Sequence, residues 1–243
     1  MKAVLLAGGD GTRLRPITYE IPKPLVPVQN KPVIEYLVDN FLSYGCEEVI
    51  LIINDKHLQH FTLWKNLYCL QKGIDEGRII LVVEEKPAGS FGALMLSQPY
   101  LKDEQSFFFG NGDNVVDLNL AKLALRHQEH SGVATVSVVQ QNDPQNWGVA
   151  ELTNDGKIRQ FHEKPVNPPT NWINPGIYLV NDEIFDYYPA GKDFSMVEQD
   201  LWPVLAKEDK LYAYFHDGQF FGTDNIERWE RAIKEYKHNP PKY

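Results

Sequence analysis

Apolar residues fall into two patterns over the first 140 residues. Short uninterrupted runs, typical of strands buried on both faces of a sheet, alternate with longer segments of helical spacing. The runs predict strands at residues 3–7, 48–54, 78–83, 106–109 and 133–139. The segments between them predict helices at 31–44, 56–72 and 118–130, and a short helix that begins near Ser90. This alternation predicts an α/β fold with a parallel, doubly wound sheet.

The pattern changes after residue 140. Two segments on either side of the turn Asn154-Asp155-Gly156 predict a β-hairpin over residues 147–162. Further apolar segments predict strands at 172–180 and 211–216, a terminal helix at 226–236, and a frayed tail at 238–243. In the helix at 56–72, the expected core residues are Leu58, Phe61, Leu63, Trp64, Leu67 and Leu70.

The first strand stops at three glycines within four residues, Gly8, Gly9 and Gly11. Glycine lacks a Cβ and accepts positive φ, so a loop here can curl around a ligand and point its N–H groups at it. A hydroxyl and three cations follow at Thr12, Arg13, Arg15 and Lys23. The combination is typical of a polyphosphate site at the carboxyl end of a parallel strand, although an ordinary tight turn with solvated cations is the alternative.

Two common nucleotide-binding motifs do not fit this loop. A P-loop requires Lys-Ser or Lys-Thr after its last glycine, and neither dipeptide follows here. A dinucleotide fingerprint requires G-x-G-x-x-G, and Leu14 occupies the position of its third glycine.

The longer stretch resembles the signature of the sugar-1-phosphate nucleotidyltransferases. The matching residues are Gly8-Gly9-x-Gly11-Thr12-Arg13-Leu14-x-Pro16, Lys23-Pro24-Leu25-x-Pro27-Val28 and Lys31-Pro32. The resemblance implies a Rossmann-like, mostly parallel sheet with helices on both faces and a β-rich sugar-binding insertion. It implies one domain over 1–243, with residues 1–140 mainly for the nucleotide, 141–220 mainly for the sugar phosphate, and a terminal helix at 225–237.

The resemblance also implies a reaction in which an NTP and a sugar-1-phosphate give an NDP-sugar and pyrophosphate, with Mg²⁺ as the cofactor. Arg13 is expected to hold the leaving phosphates and Lys23 the reacting phosphates. The residues expected to cradle the NTP are Leu6, Ala7, Gly8, Gly9, Gly11, Thr12 and Arg13.

Residues 84–94 are similar to the stretch that lies against the nucleotide base in this family. By this resemblance, Glu84, Gly89 and Ser90 contribute to nucleotide binding. An ordinary loop in which Ser90 caps the next helix is the alternative. Phe91 stands where many relatives have a small residue, which leaves the identity of the base open.

Asp113 follows the fourth apolar strand and matches the aspartate that binds both nucleotide and metal in the family. Carboxylates and phosphates are the ligands that Mg²⁺ prefers. The second metal aspartate of the family is missing from an ungapped reading of residues 220–225, and Asp224 is its candidate replacement. Capping offers an alternative in each case: Asp113 for the helix at 118–130, and Asp224 or Asn225 for the terminal helix.

Sugar-side residues also match the family. The sequence Trp147-Gly148-Val149, a hairpin and Glu163-Lys164-Pro165 occur together, and Asn174 precedes Gly176-Ile177-Tyr178. The resemblance places Gly148, Glu163 and Asn174 near the sugar, pairs Lys164 with the sugar phosphate, and adds Asn114 to this set. Residues 193–205 resemble a helix of the same family, which implies a helix there. A lysine before proline is otherwise an ordinary solvated loop residue.

Composition limits the partners and the cellular compartment that we expect for this protein. The net charge of −9, from 24 basic and 33 acidic residues, disfavours nucleic acid and anionic membranes as partners. Cys46 and Cys69 lack the spacing of a disulfide framework or zinc site, and no signal or membrane segment is evident, so we expect a cytoplasmic protein. Members of the family often form homo-oligomers. A non-catalytic regulatory homologue and a dinucleotide-dependent oxidoreductase are the rival functions.

Overall fold

The computed structural model describes residues 1–237, so the tail predicted to fray at 238–243 lies outside the described residues. The strands are β1 (Ala3–Leu6), β2 (Pro27–Val28), β3 (Lys31–Pro32), β4 (Val49–Asn54), β5 (Ile79–Glu84), β6 (Ser106–Asn111), β7 (Asn114–Val116), β8 (Ala134–Gln140), β9 (Gly148–Leu152), β10 (Ile158–Glu163), β11 (Trp172–Ile173), β12 (Ile177–Asn181), β13 (Leu211–Phe215) and β14 (Phe220–Gly222). The helices are α1 (Val33–Tyr44), α2 (Leu58–Lys72), α3 (Gly89–Met95), α4 (Leu120–Gln128), α5 (Trp202–Lys207) and α6 (Ile226–Glu235).

Ten strands within residues 1–237 form one mixed sheet, in the order β10-β9-β11-β8-β12-β6-β1-β4-β5, with β13 also paired to β8. The half made of β6, β1, β4 and β5 is parallel. Strand β12 runs antiparallel to both β6 and β8, and the hairpin strands β9 and β10 continue the antiparallel half. The α/β fold class is confirmed, and the parallel pairing is concentrated in the nucleotide-side half predicted from the alternation.

Helices cover both faces of the sheet because alternate strand residues point into two different cores. In β1, Leu5 enters a core shared with α1, α2 and α4, whereas Val4 enters a core shared with α3 and α5. Helix α1 begins after Pro32 and ends at Gly45, whose φ of 102° lets the chain turn left-handed there. No helix within residues 1–237 is long and apolar enough to cross a membrane.

The core face of α2 differs from the prediction. Leu63, Leu67 and Leu70 are 62%, 49% and 79% exposed, whereas Trp64 and Tyr68 are buried. Polar anchors on α1 select this face: Trp64 donates a hydrogen bond to Glu35 and Tyr68 donates one to Asp39. Because leucine has no polar group to satisfy, the aromatic side chains that can pair with α1 take the buried stripe and the leucines turn outward.

Two further predictions were wrong in their bounds. The strand at 172–180 is interrupted at Gly176, whose φ is +86°, so β11 and β12 are separate. The helix at 193–205 is a loop followed by a π-helix over Val197–Leu201 and then α5. The loop forms because the Asp200 carboxylate accepts hydrogen bonds from Ser195 Oγ and the Met196 amide, which competes with helical pairing.

A buried polar network joins α4 to the sheet through two histidines. His127 Nε2 bonds to Asn181 and its Nδ1 to the Thr135 hydroxyl, while His130 Nε2 bonds to the same hydroxyl and its Nδ1 accepts from the Gly132 amide. These partners are satisfied when both imidazoles are neutral, because a second ring proton would face another donor. Burial lowers the pKa of His130 to about 4, with His127 and Arg126 acting in the same direction. Burial also lowers the pKa of His127, against the hydrogen bond to Asn181.

Stability should therefore fall at mildly acidic pH. An unfolded histidine binds a proton near its ordinary pKa of about 6.5, so the contribution of the neutral pair is complete above that pH and is lost as pH falls toward 4. Urea unfolding measures the free energy of unfolding from pH 7 to 4. This free energy should fall less steeply with pH in His130→Gln than in the wild type. The exposed control His60→Gln should show the wild-type slope. Equal slopes for His130→Gln and the wild type would contradict the prediction.

Candidate active site

The carboxyl ends of four parallel strands form the floor of the site. Their register places Leu6 of β1 beside Ile52 of β4 and Asn111 of β6, and Asn54 of β4 beside Glu84 of β5. Each of these residues lines a cavity of about 370 Å³ beneath the glycine loop. We call it the glycine-loop cavity. Open α/β sheets bind ligands at this edge.

The glycine loop, which contains Gly8, Gly9 and Gly11, passes close to side chains of other segments. Gly11 has a φ of +58°, and a Cβ there would lie 2.9 Å from the Cβ of Lys23 and from Cγ2 of Thr18. A Cβ on Gly8 would lie 3.0 Å from a carboxylate oxygen of Glu84. The loop is therefore restricted to glycine at Gly11 by both conformation and contact.

An ion pair joins Lys23, which lies beside Gly11, to the end of β6. Lys23 Nζ lies 2.6 Å from Asp113 Oδ2, and Lys23 is buried whereas Asp113 is one-third exposed. The Gly112 amide donates to the carbonyl of Leu6, which holds Asp113 beside the end of β1. Asp113 does not cap the next helix, since Asn119 accepts the hydrogen bond from the Lys122 amide at the start of α4.

The altered motif at residues 220–225 also lies beside Asp113. Strands β14 and β7 pair, and Thr223 Oγ1 donates to the backbone oxygen of Asp113, so Asp224 follows at the edge of the site. Asp224 Oδ2 lies 2.7 Å from Arg13 Nη1, and Asp224 Oδ1 lies 2.8 Å from Arg228 Nη1. Asn225, not Asp224, caps α6.

Asp224 is ionised despite its burial. Burial raises the pKa of this carboxyl, but the hydrogen bond and charge of Arg228, with the charges of Arg13 and Lys23, outweigh that effect and lower the pKa below its usual value. Because Asn225 caps α6, the charged carboxylate of Asp224 is engaged by Arg13 and Arg228 and not by the helix N-terminus.

A second cavity of about 140 Å³ adjoins the first, and we call it the lysine cavity. Its lining residues are Arg13, Lys23, Asn111, Asp113, Asn114, Asn146, Trp147, Gly148, Glu163, Lys164, Asn174, Glu198 and Asp224. This set contains every residue that was predicted to bind the sugar phosphate. Lys164 Nζ lies 2.8 Å from Glu163 Oε1, and Lys164 has a positive φ of 46°. The side chain of Asn174 donates a hydrogen bond to the Tyr178 hydroxyl and accepts one from the Gly176 backbone N–H. It therefore also shapes the turn between β11 and β12.

The two cavities meet at Asn111, Asp113 and Glu198, which line both. Glu198 was not predicted as a site residue. Its carboxylate accepts a hydrogen bond from Ser90 Oγ at 2.7 Å, and burial raises its pKa although that hydrogen bond opposes the shift. Ser90 Oγ also accepts from the Val197 amide, so Ser90 braces Glu198 and makes no capping hydrogen bond to α3.

The residues predicted to bind the nucleotide do not all line one cavity, and Arg13 lines only the lysine cavity. Those that line the glycine-loop cavity are Leu6, Gly8, Gly9, Glu84, Gly89, Ser90 and Asp113. Ala7, Gly11 and Thr12 line neither of the two cavities. A third cavity of about 390 Å³ lies between α1 and α2 and contains none of the predicted site residues.

Comparison with known proteins identifies the family. Residues 2–230 match the family model described as Nucleotidyl transferase. The chain belongs to the nucleotidyl transferase family. Mannose-1-phosphate guanyltransferase of Yarrowia lipolytica is 35% identical over 221 residues, which cover 90% of this chain and 59% of the relative. The chain thus spans about 60% of the length of the curated relatives it matches.

Two solved structures share the fold of this chain. One is described as a glucose-1-phosphate thymidylyltransferase of Bacillus anthracis in complex with sucrose; its TM-score is 0.87 at 24% identity, over 98% of this chain and 97% of the other. The other is HddC of Yersinia pseudotuberculosis complexed with GMP-PN, with a TM-score of 0.75 at 24% identity, over 97% and 99% of the two chains. At these identities the likeness establishes the fold of this nucleotidyl transferase.

The close approach of Gly222 to Trp147 predicts a stability effect. A Cβ at residue 222 would lie 2.3 Å from Cη2 of Trp147, so Gly222→Ala should lower the free energy of unfolding by about 1–3 kcal/mol through overpacking. Gly9→Ala is the matched control, because a Cβ there meets nothing within 4 Å. Urea unfolding of the two variants measures the difference, and equal stabilities would show that the ring moves freely.

Proposed function

We propose that this nucleotidyl transferase joins an NTP to a sugar-1-phosphate and releases pyrophosphate, giving an NDP-sugar. The observation that carries the proposal is the junction of the two cavities at Asp113, with Lys23 against that carboxylate and Arg13 and Lys164 on the lysine-cavity wall. One cavity has the size and glycine-lined edge that suit a nucleotide. The smaller, cation-lined cavity suits a phosphorylated sugar.

The cations supply the charge that this reaction needs. A phosphate oxygen of the sugar-1-phosphate attacks the α-phosphorus of the NTP, the bond to the β-phosphate oxygen breaks, and pyrophosphate leaves without a covalent enzyme intermediate. Lys23 neutralises the reacting phosphates, Arg13 the leaving phosphates, and Lys164 the sugar phosphate. The glycine loop, with Gly8 and Gly9 at the cavity wall, cradles the triphosphate.

The two aspartates suit Mg²⁺. Asp113 and Asp224 line the same cavity, and Mg²⁺ is commonly held by one or two carboxylates together with substrate phosphates. Residues 1–237 contain no cluster of three or more His, Cys, Asp or Glu side chains arranged for a metal, which is consistent with a site completed by phosphate oxygens. When bound, the ion would offset the repulsion between the two phosphorylated substrates.

The relatives suggest which substrates to test first. Because the curated relatives are named mannose-1-phosphate guanyltransferases, we propose GTP and mannose-1-phosphate as the first pair. We also propose that residues 1–140 mainly bind the nucleotide and residues 141–220 the sugar phosphate, with the terminal helix at 225–237 closing the site. The ion pair between Asp224, just before α6, and Arg228, in its first turn, supports this role.

Pyrophosphate release tests the activity. A matrix of NTPs against sugar-1-phosphates should give at least one productive pair, and Lys23→Ala should reduce its turnover by about 10²-fold or more, the order expected for one lost charge contact. The productive pair defines the base and the sugar. Binding of an NDP-sugar without pyrophosphate release from any pair would favour the non-catalytic homologue. Wild-type turnover in folded Lys23→Ala would refute the role of Lys23.

Metal titration tests the two aspartates separately. Asp113→Asn should reduce turnover by about 10²-fold or more, because the amide keeps the shape and loses the charge that binds Mg²⁺. Asp224→Asn should raise the Mg²⁺ concentration needed for half-maximal rate and lower turnover. The exposed control Asp103→Asn, which lines neither cavity, should leave both unchanged. An unaltered Mg²⁺ dependence for Asp113→Asn would sink the metal assignment.

A further inference from the structure

Arg228 connects two segments that lie far apart in the sequence. Its Nη1 lies 2.8 Å from Asp224 Oδ1, its Nη2 contacts Asp143 Oδ2, and its guanidinium carbon lies 4.5 Å from the centre of the Trp147 ring. The side chain is only 13% exposed. A guanidinium that bridges two carboxylates and lies over an indole ring is held by three partners at once.

The surroundings of residue 222 determine which carboxylate can reach the site. Residue 222 is glycine where an ungapped reading of the family motif expects aspartate. The Trp147 ring occupies the space in front of it, since a Cβ would lie 2.3 Å from Cη2. No side chain fits at that position without moving the ring. The carboxylate that reaches the site therefore comes from Asp224, two residues later, and Arg228 is its inner partner.

We propose that Arg228 is a positioning residue that holds Asp224 in place for the metal and links it to the Asp143–Trp147 segment beside the lysine cavity. The inference rests on the proposed function. Asp224 has two cationic partners of different character: Arg13 is 61% exposed and Arg228 is 13% exposed. Arg13 turns to the phosphates when a triphosphate binds and frees Oδ2, whereas Arg228 stays on Oδ1 and keeps the carboxylate oriented.

Arginine is required for this task. Its planar group offers several N–H donors, so one side chain can serve Asp224 and Asp143 while its guanidinium lies over the Trp147 ring. A lysine ammonium is a single point charge on a flexible stem and cannot meet all three partners in one plane. Partners that orient a metal ligand typically contribute 10–100-fold to metal affinity.

Mn²⁺ binding tests the inference without turnover. Water-proton relaxation would measure Mn²⁺ affinity in the presence of the NTP that is most active with the wild type, or of inorganic triphosphate if no NTP is active. Arg228→Met should weaken Mn²⁺ binding by about tenfold or more. In an Asp224→Asn background the same change should have no further effect, because Arg228 acts through Asp224. Arg231→Met is the matched control: it lies on the same helix and near Phe221, but is exposed.

The outcomes separate this inference from the proposed function. Unchanged Mn²⁺ affinity in Arg228→Met would overturn the positioning role and leave a purely structural one. The same holds if Arg228→Met lowers the Mn²⁺ affinity as much in the Asp224→Asn background as in the wild type. Should Arg228→Met not fold, Arg228→Lys is measured instead, with a smaller loss expected and an unchanged affinity counting against the role. If the wild type releases no pyrophosphate from any pair, the Mn²⁺ affinities of the single and double variants can still follow the expected pattern. In that case the proposed reaction fails and the role of Arg228 stands.

Discussion

The ion pair between Lys23 and Asp113 is the constraint on which the site depends. A buried ammonium group is costly unless a counter-charge lies beside it, so Lys23 fixes where Asp113 must be. The stem of Lys23 also packs against Gly11, which has room for no side chain. One lysine thus holds the glycine loop and the end of β6 together, and the two cavities meet at its partner carboxylate.

The sheet explains why the cavities adjoin. Strand β6 pairs parallel with β1 on one side and antiparallel with β12 on the other, so the sheet changes character at the strand that leads to Asp113. The parallel side brings strand ends and the glycine loop together at one edge. The antiparallel side brings the hairpin, with Gly148 and Glu163 at paired positions, to the same edge.

The sequence predicts the parts of the site that local patterns encode. The glycine loop, Asp113 and Lys164 directly follow recognisable strands, so their places at the sheet edge follow from chain order. Glu198 and Arg228 could not be found this way, because their partners Ser90 and Asp143 are 108 and 85 residues away. Tertiary pairing likewise decided the face of α2, where aromatic hydrogen bonds to α1 outweighed a run of leucines that hydrophobic spacing alone assigns to the core.

The central claim is that two phosphorylated substrates meet at Asp113. The most direct test is ³¹P relaxation by Mn²⁺ in a complex of the wild type with a non-reactive analogue of its preferred NTP and with its preferred sugar-1-phosphate. We expect Mn²⁺ to broaden the resonances of the nucleotide α-phosphate and of the sugar phosphate together. Asp113→Asn should remove the effect on the sugar phosphate, whereas the nucleotide phosphates still bind Mn²⁺ directly. Broadening of the nucleotide alone in the wild type, or equal broadening of both resonances in Asp113→Asn, would contradict the central claim.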